Sequence, residues 1–210
     1  FMVSFCHRAI LLRDGLLMMN DSPIKVVNQY IELNYSKYQK VKKIRASLPS
    51  NADSGNSYSA KDGFGTDYAA IKSIQILDHE NNVVRSIESG KTTTIQISCS
   101  FKQNCSNIII GFQLKNKFGQ IIFCDNTFKT YEKKPIKFKK NQHIKVDFTF
   151  DFPLLAAGPY TISPAIAEGT QKQHVQHHWI HEAIEVNVIN SNTCFGVFDV
   201  VMKEITVEKT

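Results

Sequence analysis

The densest run of chemically versatile side chains lies at 174–182, which reads HVQHHWIHE. Four histidines in eight residues suit a zinc site, and on a helix His177 and His181 would share one face. The apolar residues that follow, however, recur at every second position from Ile184 to Val188, which is the period of a strand. No cysteine pair or carboxylate cluster adjoins the run to complete a ligand set. We therefore expect no metal and no other cofactor.

On a strand, the same run places Trp179 and His181 on the face opposite Ile184 and Val186. Trp179 is the only tryptophan of the chain. An indole ring stacks on the C–H-rich face of a sugar, while imidazoles and amides hydrogen-bond to its hydroxyl groups. The pattern suits a carbohydrate-binding surface, and a role for Trp179 in filling a corner of the core stays equally open. The candidate sugar contacts are Trp179, His177, His181, Gln113, Lys115 and Asn126.

Catalytic residue sets are absent from the sequence. The chain has no G-x-S-x-G nucleophile turn and no local cysteine signature beside a histidine. The carboxylates of Asp147 and Asp151 fall on a regular strand pattern, where solvent exposure is a simpler role than acid–base chemistry. We expect no enzymatic activity and name no catalytic residue.

The elements that must position these side chains follow from alternation. Over Thr92–Phe101 and over 143–150, apolar residues recur at every second position, as they do from Ile108 to Leu114. Turn signals such as Ser89-Gly90 separate the runs. Eight or nine short strands predict an all-β fold, an antiparallel two-sheet β-sandwich of immunoglobulin-like or jelly-roll type. Further strands are expected at 70–77, 83–87, 120–128, 160–167, 180–188 and 195–207.

The residues ahead of the sandwich have a different character. An apolar run at 8–12 ends at Asp14-Gly15, which predicts a hairpin, and Pro23 then opens a run with helical spacing. A hairpin and a helix are too small to bury a core, so we expect a piece of a larger domain. The next residues are basic and then rich in Ser, Asn, Gly and Asp, which is typical of a linker. The predicted divisions are 1–35 (domain remnant), 36–66 (linker) and 67–210 (sandwich).

Composition narrows the class of protein. The chain of 210 residues is 42% hydrophobic and 21% charged, and no apolar run approaches the ~18 residues of a membrane span. The five cysteines are odd in number and without C-x-x-C spacing, so reduced thiols in a cytosolic protein are the simpler interpretation. The formal net charge is +6, but the lysines are spread between strands, and we interpret their cluster at 133–140 as a solvated loop. We expect no nucleic acid partner.

Two stretches in one chain resemble known proteins. Residues 6–15 read CHRAILLRDG and are similar to the end of an ABC-transporter nucleotide-binding domain, roughly C-D-R-A-I-x-L-x-x-G. His7 stands where that pattern usually has Asp. The β region resembles the C-terminal domain of Wzt-type subunits, the ATPases of exporters for O-antigen polysaccharide. The resembling residues are 74–78, Ser89-Gly90, Gly111-Phe112, Phe118-Gly119, Asn126-Thr127, 150–155, 158–160 and 179–188.

The resemblance implies a cytoplasmic module that binds O-antigen polysaccharide of the lipopolysaccharide, typically at its non-reducing terminal cap, and so licenses export. It implies a homodimer with strand exchange, held at the inner membrane by the membrane-spanning permease in the full-length transporter. The chain lacks the G-x-x-x-x-G-K-[ST] loop, and the Walker-B strand and switch histidine would lie upstream of Phe1, so we expect a fragment that cannot hydrolyse ATP.

Two other functions stay open at this stage. One is a module that dimerises the ATPase or docks a partner protein without binding sugar, which a large exposed apolar patch would favour. The other is a glycan-modifying enzyme, which two carboxylates facing each other across a cleft would favour. The sequence also leaves open which sheet carries the groove and which polysaccharide binds.

Overall fold

The computed structural model of the protein describes residues 2–38, 42–46, 61–190 and 194–207. The helices are α1 (Met2–Phe5), α2 (Pro23–Tyr38) and α3 (Phe128–Tyr131). The strands are β1 (Ala9–Arg13), β2 (Leu16–Asp21), β3 (Lys42–Ala46), β4 (Lys61–Gly65), β5 (Ala69–Leu77), β6 (Ser86–Glu88), β7 (Thr92–Phe101), β8 (Cys105–Ser106), β9 (Ile108–Asn116), β10 (Ile121–Asn126), β11 (Lys137–Phe138), β12 (His143–Asp151), β13 (Gly158–Gly169), β14 (His174–Ile180) and β15 (Ile184–Ile189). Within these ranges, no helix has the length and hydropathy that a membrane span requires.

Two sheets form the body of the molecule. The larger has eight strands, in the order β10-β9-β13-β14-β4-β3, with β15 paired to β13 and β6 paired to β15. The smaller has the order β12-β7-β5, and β8 pairs with β11 beside them. All of these pairs are antiparallel except β6–β15. The expectation of a mainly antiparallel, two-sheet all-β sandwich is confirmed.

The core lies between the two sheets because apolar residues alternate along their strands. Ile95 and Ile97 of β7 are fully buried, as are Ile110 of β9 and Ile162 of β13 on the larger sheet. All four belong to one continuous apolar cluster. Since neighbouring residues of a strand face opposite sides, Ile110 of β9 and Ile162 of β13 are each flanked by residues on the outer face.

Three expected elements differ in the structure. Strands β3 and β4 fall inside the range 36–66, which was predicted to be a linker, because β4 pairs with the free edge of β14. The strand predicted at 180–188 is divided by a turn in which Glu182 has a positive φ of 49°. The strand predicted at 195–207 is not formed within residues 194–207, where Phe198 makes only an isolated bridge to Leu155.

The N-terminal hairpin and helix form a small layer of their own. Strands β1 and β2 pair as predicted, and α2 begins at Pro23 as predicted. Ala9, Leu11 and Val26 make a separate apolar cluster between the hairpin and the helix. The layer also touches the larger sheet: a Cβ added to Gly119 would lie 3.1 Å from Cγ1 of Ile24. Helix α2 is thereby held against the outer face of this sheet.

Candidate functional site

A groove of about 270 Å³ lies on the outer face of the larger sheet. Its floor is made of small residues on β9 and β13: Gly111, Ser163, Ala165 and Ala167. They alternate with the buried isoleucines of the same strands, so the groove is formed by missing side-chain bulk. The glycine is required, because a Cβ at Gly111 would lie only 2.5 Å from the Asn126 Cβ.

Strand register sets the width of the groove. One row of cross-strand partners runs Asn126, Gly111, Ala165, Trp179 over β10, β9, β13 and β14. The row therefore places an amide and an indole three strand spacings apart, about 14 Å, with only a glycine and an alanine between them. The other residues that line the groove are Tyr35, Ile109, Phe112, Gln113, Cys124, Asp125, Gln171, His174 and Gln176.

Trp179 forms the aromatic wall. Its ring stacks on Phe64 with centroids 5.7 Å apart and meets Tyr35 of α2 edge-on at 6.0 Å. These contacts fix the orientation of a side chain that is still partly exposed. The indole Nε1 is shielded from water and has no hydrogen-bond partner among the described residues. The exposed part of the Trp179 ring is an aromatic surface that other residues do not cover.

The opposite wall is polar and also fixed. The Asn126 Oδ1 accepts hydrogen bonds from the Phe128 N–H at 2.9 Å and from the Gln171 Nε2 at 3.0 Å. On the Trp179 side of the groove, Gln176 of β14 donates from Nε2 to the carbonyl oxygens of Ile166 and His178, at 2.8 and 3.0 Å. Because these bonds orient the amides, the groove presents preformed hydrogen-bonding groups.

The charge of the groove is low. Among its described lining residues, Asp125 is the only one that carries a permanent charge, and no lysine or arginine is present. Tyr35 stays neutral, because burial raises the pKa of its phenol. Such a surface suits a neutral polar ligand better than an anionic one, which Asp125 would repel.

Three of the predicted sugar contacts, Gln113, Asn126 and Trp179, line the groove together. Lys115 is next to it, in a second pocket under α2 that it shares with Glu182. Only 6% of Lys115 is exposed, and burial lowers the pKa of its ammonium group while Glu182 opposes the shift. This lysine is covered by the helix and is not among the groove residues.

The two predicted imidazole contacts do not line the groove. Ile166 pairs with His178 and Ala167 with Gln176, so His177 is the extra residue of a β-bulge and leaves the outer face. It is 1% exposed. His181 is packed behind Trp179, with ring centroids 5.3 Å apart. Burial, and then Lys115, lower the pKa of His181 to about 4, so this ring is neutral at pH 7.

Other lining residues were not identified from the sequence. Tyr35 was assigned to the domain remnant, and nothing in its neighbourhood indicates that α2 reaches the sheet. Gln171 lies in the turn between β13 and β14, and Gln176 lies in β14. The usable signal was the alternation of Ser163, Ala165 and Ala167 with isoleucines, which indicates small residues on an outer face.

The sequence matches the family described as the Wzt C-terminal domain over residues 60–200. Comparison with curated proteins finds no match. Among solved structures, the C-terminal domain of Wzt aligns with a TM-score of 0.64 and 19% identity, over 69% of this chain and 87% of that one. This likeness shows the fold.

Two glycosidases align far less well. A β-glucosidase from Listeria innocua in complex with glucose has a TM-score of 0.32 at 9% identity, over 66% of this chain and 18% of its own. A β-D-mannosidase from Dictyoglomus thermophilum has 0.33 at 13% identity, over 80% and 20%. Scores of this size carry no argument about function.

Proposed function

The chain belongs to the family of the Wzt C-terminal domain, a non-catalytic module of ABC transporters for O-antigen polysaccharide, and we propose that it binds the glycan in the groove of the larger sheet. The observation that carries the proposal is the register row from Asn126 to Trp179. An aromatic wall and an amide wall face each other across a floor of small residues, which is the arrangement that a sugar ring requires.

The size of the groove favours recognition of a short unit. At about 270 Å³ it lies just below the ~300–1,000 Å³ of pockets for drug-sized ligands, so only a short segment of a polymer contacts it. We propose that this segment is the non-reducing terminal cap, and that only finished chains are exported. Because Asp125 is the only permanent charge among the described lining residues, the recognised unit is an uncharged sugar.

The proposal includes a homodimer that works in the cytoplasm beside the permease. Its support is the segment 194–207, in which large apolar side chains are exposed: Phe195 is 96% exposed and Ile205 is 80% exposed. Such a surface needs a partner, and a second copy supplies it with two-fold symmetry. Two glycan sites on one dimer would gain avidity for a polymer.

The same exposed segment favours a second candidate, a module that dimerises or docks a protein without binding sugar. The two candidates differ in what they require of the groove. Docking through 194–207 leaves the groove without a role, whereas glycan binding depends on Trp179.

The deciding experiment is calorimetric titration with purified O-polysaccharides, each with its non-reducing terminus intact and removed. We expect saturable heat with one neutral glycan, lost when the terminus is removed and lost in Trp179→Ala. The matched control is Tyr131→Ala, since Tyr131 is also an exposed aromatic residue but does not line the groove. Its binding should equal that of the unmodified protein.

Each of the other outcomes has a clear meaning. Equal binding after removal of the terminus keeps the glycan but contradicts cap recognition. Full binding in Trp179→Ala moves the site away from the groove. No heat with any glycan, including the cognate one, would reject the proposal and leave the docking module.

A further inference from the structure

A second cluster of reactive groups lies beyond the groove, where β8, β13 and β14 approach each other. The Sγ of Cys105, a carboxylate oxygen of Glu168 and an imidazole nitrogen of His177 all lie within 4.8 Å of one another. Both Cys105 and His177 are buried, and Glu168 is partly exposed. The three residues come from separate strands, so no local sequence motif predicts that they lie together.

The imidazole of His177 is held at both nitrogens. Its Nε2 lies 2.9 Å from the Glu168 Oε2, and its Nδ1 lies 2.7 Å from the Thr66 Oγ1. Burial lowers the pKa of the ring against the opposing effect of Glu168, which favours the neutral form. Histidine ligands of metals are usually fixed in this way, by a hydrogen bond at the nitrogen that does not bind the metal.

The carboxylate of Glu168 is oriented as well. Its Oε1 accepts hydrogen bonds from the N–H and the hydroxyl of Ser106, at 2.7 and 3.2 Å. The second oxygen, Oε2, is thereby directed to His177. The thiol of Cys105 is bound only weakly, to the Gln103 carbonyl at 3.6 Å. Sulfur, nitrogen and oxygen atoms thus lie within 4.8 Å of one another, and the imidazole and the carboxylate are held there by other partners.

We propose that Cys105, Glu168 and His177 bind a zinc ion, with water in the fourth position. A mixed S, N and O set suits tetrahedral Zn²⁺, whereas Mg²⁺ and Ca²⁺ prefer oxygen alone. With bonds of about 2.0–2.3 Å, tetrahedral ligand atoms are about 3.3–3.6 Å apart. The 2.9 Å between Nε2 and Oε2 therefore has to open by only a few tenths of an ångström.

The protons balance in a simple way. In the neutral ring the Nε2–H donates to Glu168 and Nδ1 accepts from the Thr66 hydroxyl. When zinc takes Nε2, the ring proton moves to Nδ1 and donates to the Thr66 Oγ1. Burial and the charge of Glu168 raise the pKa of the Cys105 thiol to about 11, so it enters as a thiol and releases one proton on binding.

The ion would brace the edge of the groove. Glu168 is the penultimate residue of β13 and His177 lies in β14, so zinc joins both strands beside the turn that carries Gln171. Thermal stability should therefore rise with added zinc, because the three ligands come together only in the folded chain. The expectation of no metal considered the histidine run alone, and Cys105 and Glu168 were no part of it.

The test is titration of the reduced, chelator-treated protein with Co²⁺, followed by displacement with Zn²⁺. We expect one Co²⁺ per chain, with a thiolate-to-metal charge-transfer band and intense tetrahedral d–d bands, both of which zinc removes. Cys105→Ser should lose the charge-transfer band. Thr66→Ala should keep the bands and weaken zinc binding about 10-fold, because it only orients a ligand.

Controls separate this site from other thiols. Cys6 and His7 are adjacent and exposed, so the double variant Cys6→Ser/His7→Asn removes the most accessible competing site and should keep both bands. Glu168→Gln retains an acceptor for Ser106 and serves if Cys105→Ser does not fold; it should also weaken zinc binding. A band that survives in Cys105→Ser and disappears in the double variant would overturn the proposal, as would the absence of any Co²⁺ binding.

Discussion

The two faces of the larger sheet are made by the same strands and have opposite properties. On the inner face, Ile110 and Ile162 are fully buried in the core. On the outer face, their sequence neighbours Gly111 and Ser163 leave a depression bordered by polar and aromatic groups. Large side chains fill the inner face, whereas small residues leave a depression in the outer face. We therefore expect substitutions on the two faces of one strand to affect stability and the proposed binding separately.

The largest effect on the free energy of unfolding is expected for Ile162→Ala on the inner face. Removing a fully buried isoleucine side chain costs about 2–5 kcal/mol, because the cavity relaxes only in part. Urea unfolding measures this change in the free energy of unfolding. Thr161→Ala, one residue away on the outer face, should change the free energy by less than about 1 kcal/mol. Equal losses in the two variants would contradict the contrast between the faces.

A smaller loss is expected on acidification. The buried imidazole of His178 accepts a hydrogen bond from the Ile71 N–H at 3.0 Å, and its Nε2 has no partner among the described residues. Burial lowers its pKa from 6.5 to about 4. Between pH 6.5 and pH 4 the imidazole is protonated in the unfolded chain but not in the folded chain. Its contribution to stability is therefore complete above pH 6.5 and falls as the pH drops toward 4. From pH 7 to 5 this imidazole alone contributes a loss of about 2 kcal/mol.

Urea unfolding at the two pH values checks this. In His178→Asn, which cannot titrate but can still accept from Ile71, the loss between pH 7 and 5 should shrink by that amount. Ile71→Val carries no ionisable group and should lower stability equally at both pH values. An unchanged pH dependence in His178→Asn would show that this ring is not responsible.

The smallest change in stability, with a complete loss of glycan binding, is expected for Ala165→Leu on the floor of the groove. The added side chain enters the groove between Gly111 and Trp179, so the unfolding free energy should change by less than about 1 kcal/mol. Calorimetry with the cognate glycan would show no heat. Thr161→Leu, on the same face of β13 but outside the lining, should still bind; if it fails as well, the loss is not specific to the groove.

Alternation predicted the sandwich because a strand that is buried on one face has apolar residues at every second position of its own sequence. The 92–101 and 143–150 patterns became β7 and β12 for this reason. Alternation failed to predict the structure of segments that depends on pairing with a strand distant in the sequence. Strand β4 forms because it pairs with the edge of β14, whereas residues 194–207 make only an isolated bridge, from Phe198 to Leu155.

In the candidate site too, local sequence predicted the positions of some residues and not of others. Types and strand positions predicted Trp179, Gln113 and Asn126 as sugar contacts, and the three line one groove. The prediction did not place His177, because a β-bulge between β13 and β14 takes it off the outer face, and a register shift is invisible in a single strand. It did not place His181 either, because β14 ends at Ile180 and His181 packs against Trp179.

By itself, the sequence determined the fold class and the core faces, and it predicted that Trp179 lies on the face opposite the core, because each depends on a period of two residues within one strand. Only the tertiary structure decided the rest. The row from Asn126 to Trp179, the approach of Tyr35 and the meeting of Cys105, Glu168 and His177 all join residues far apart in the chain. The physical reason is that hydrogen-bond pairing between strands, and not local pattern, selects which outer-face residues become neighbours.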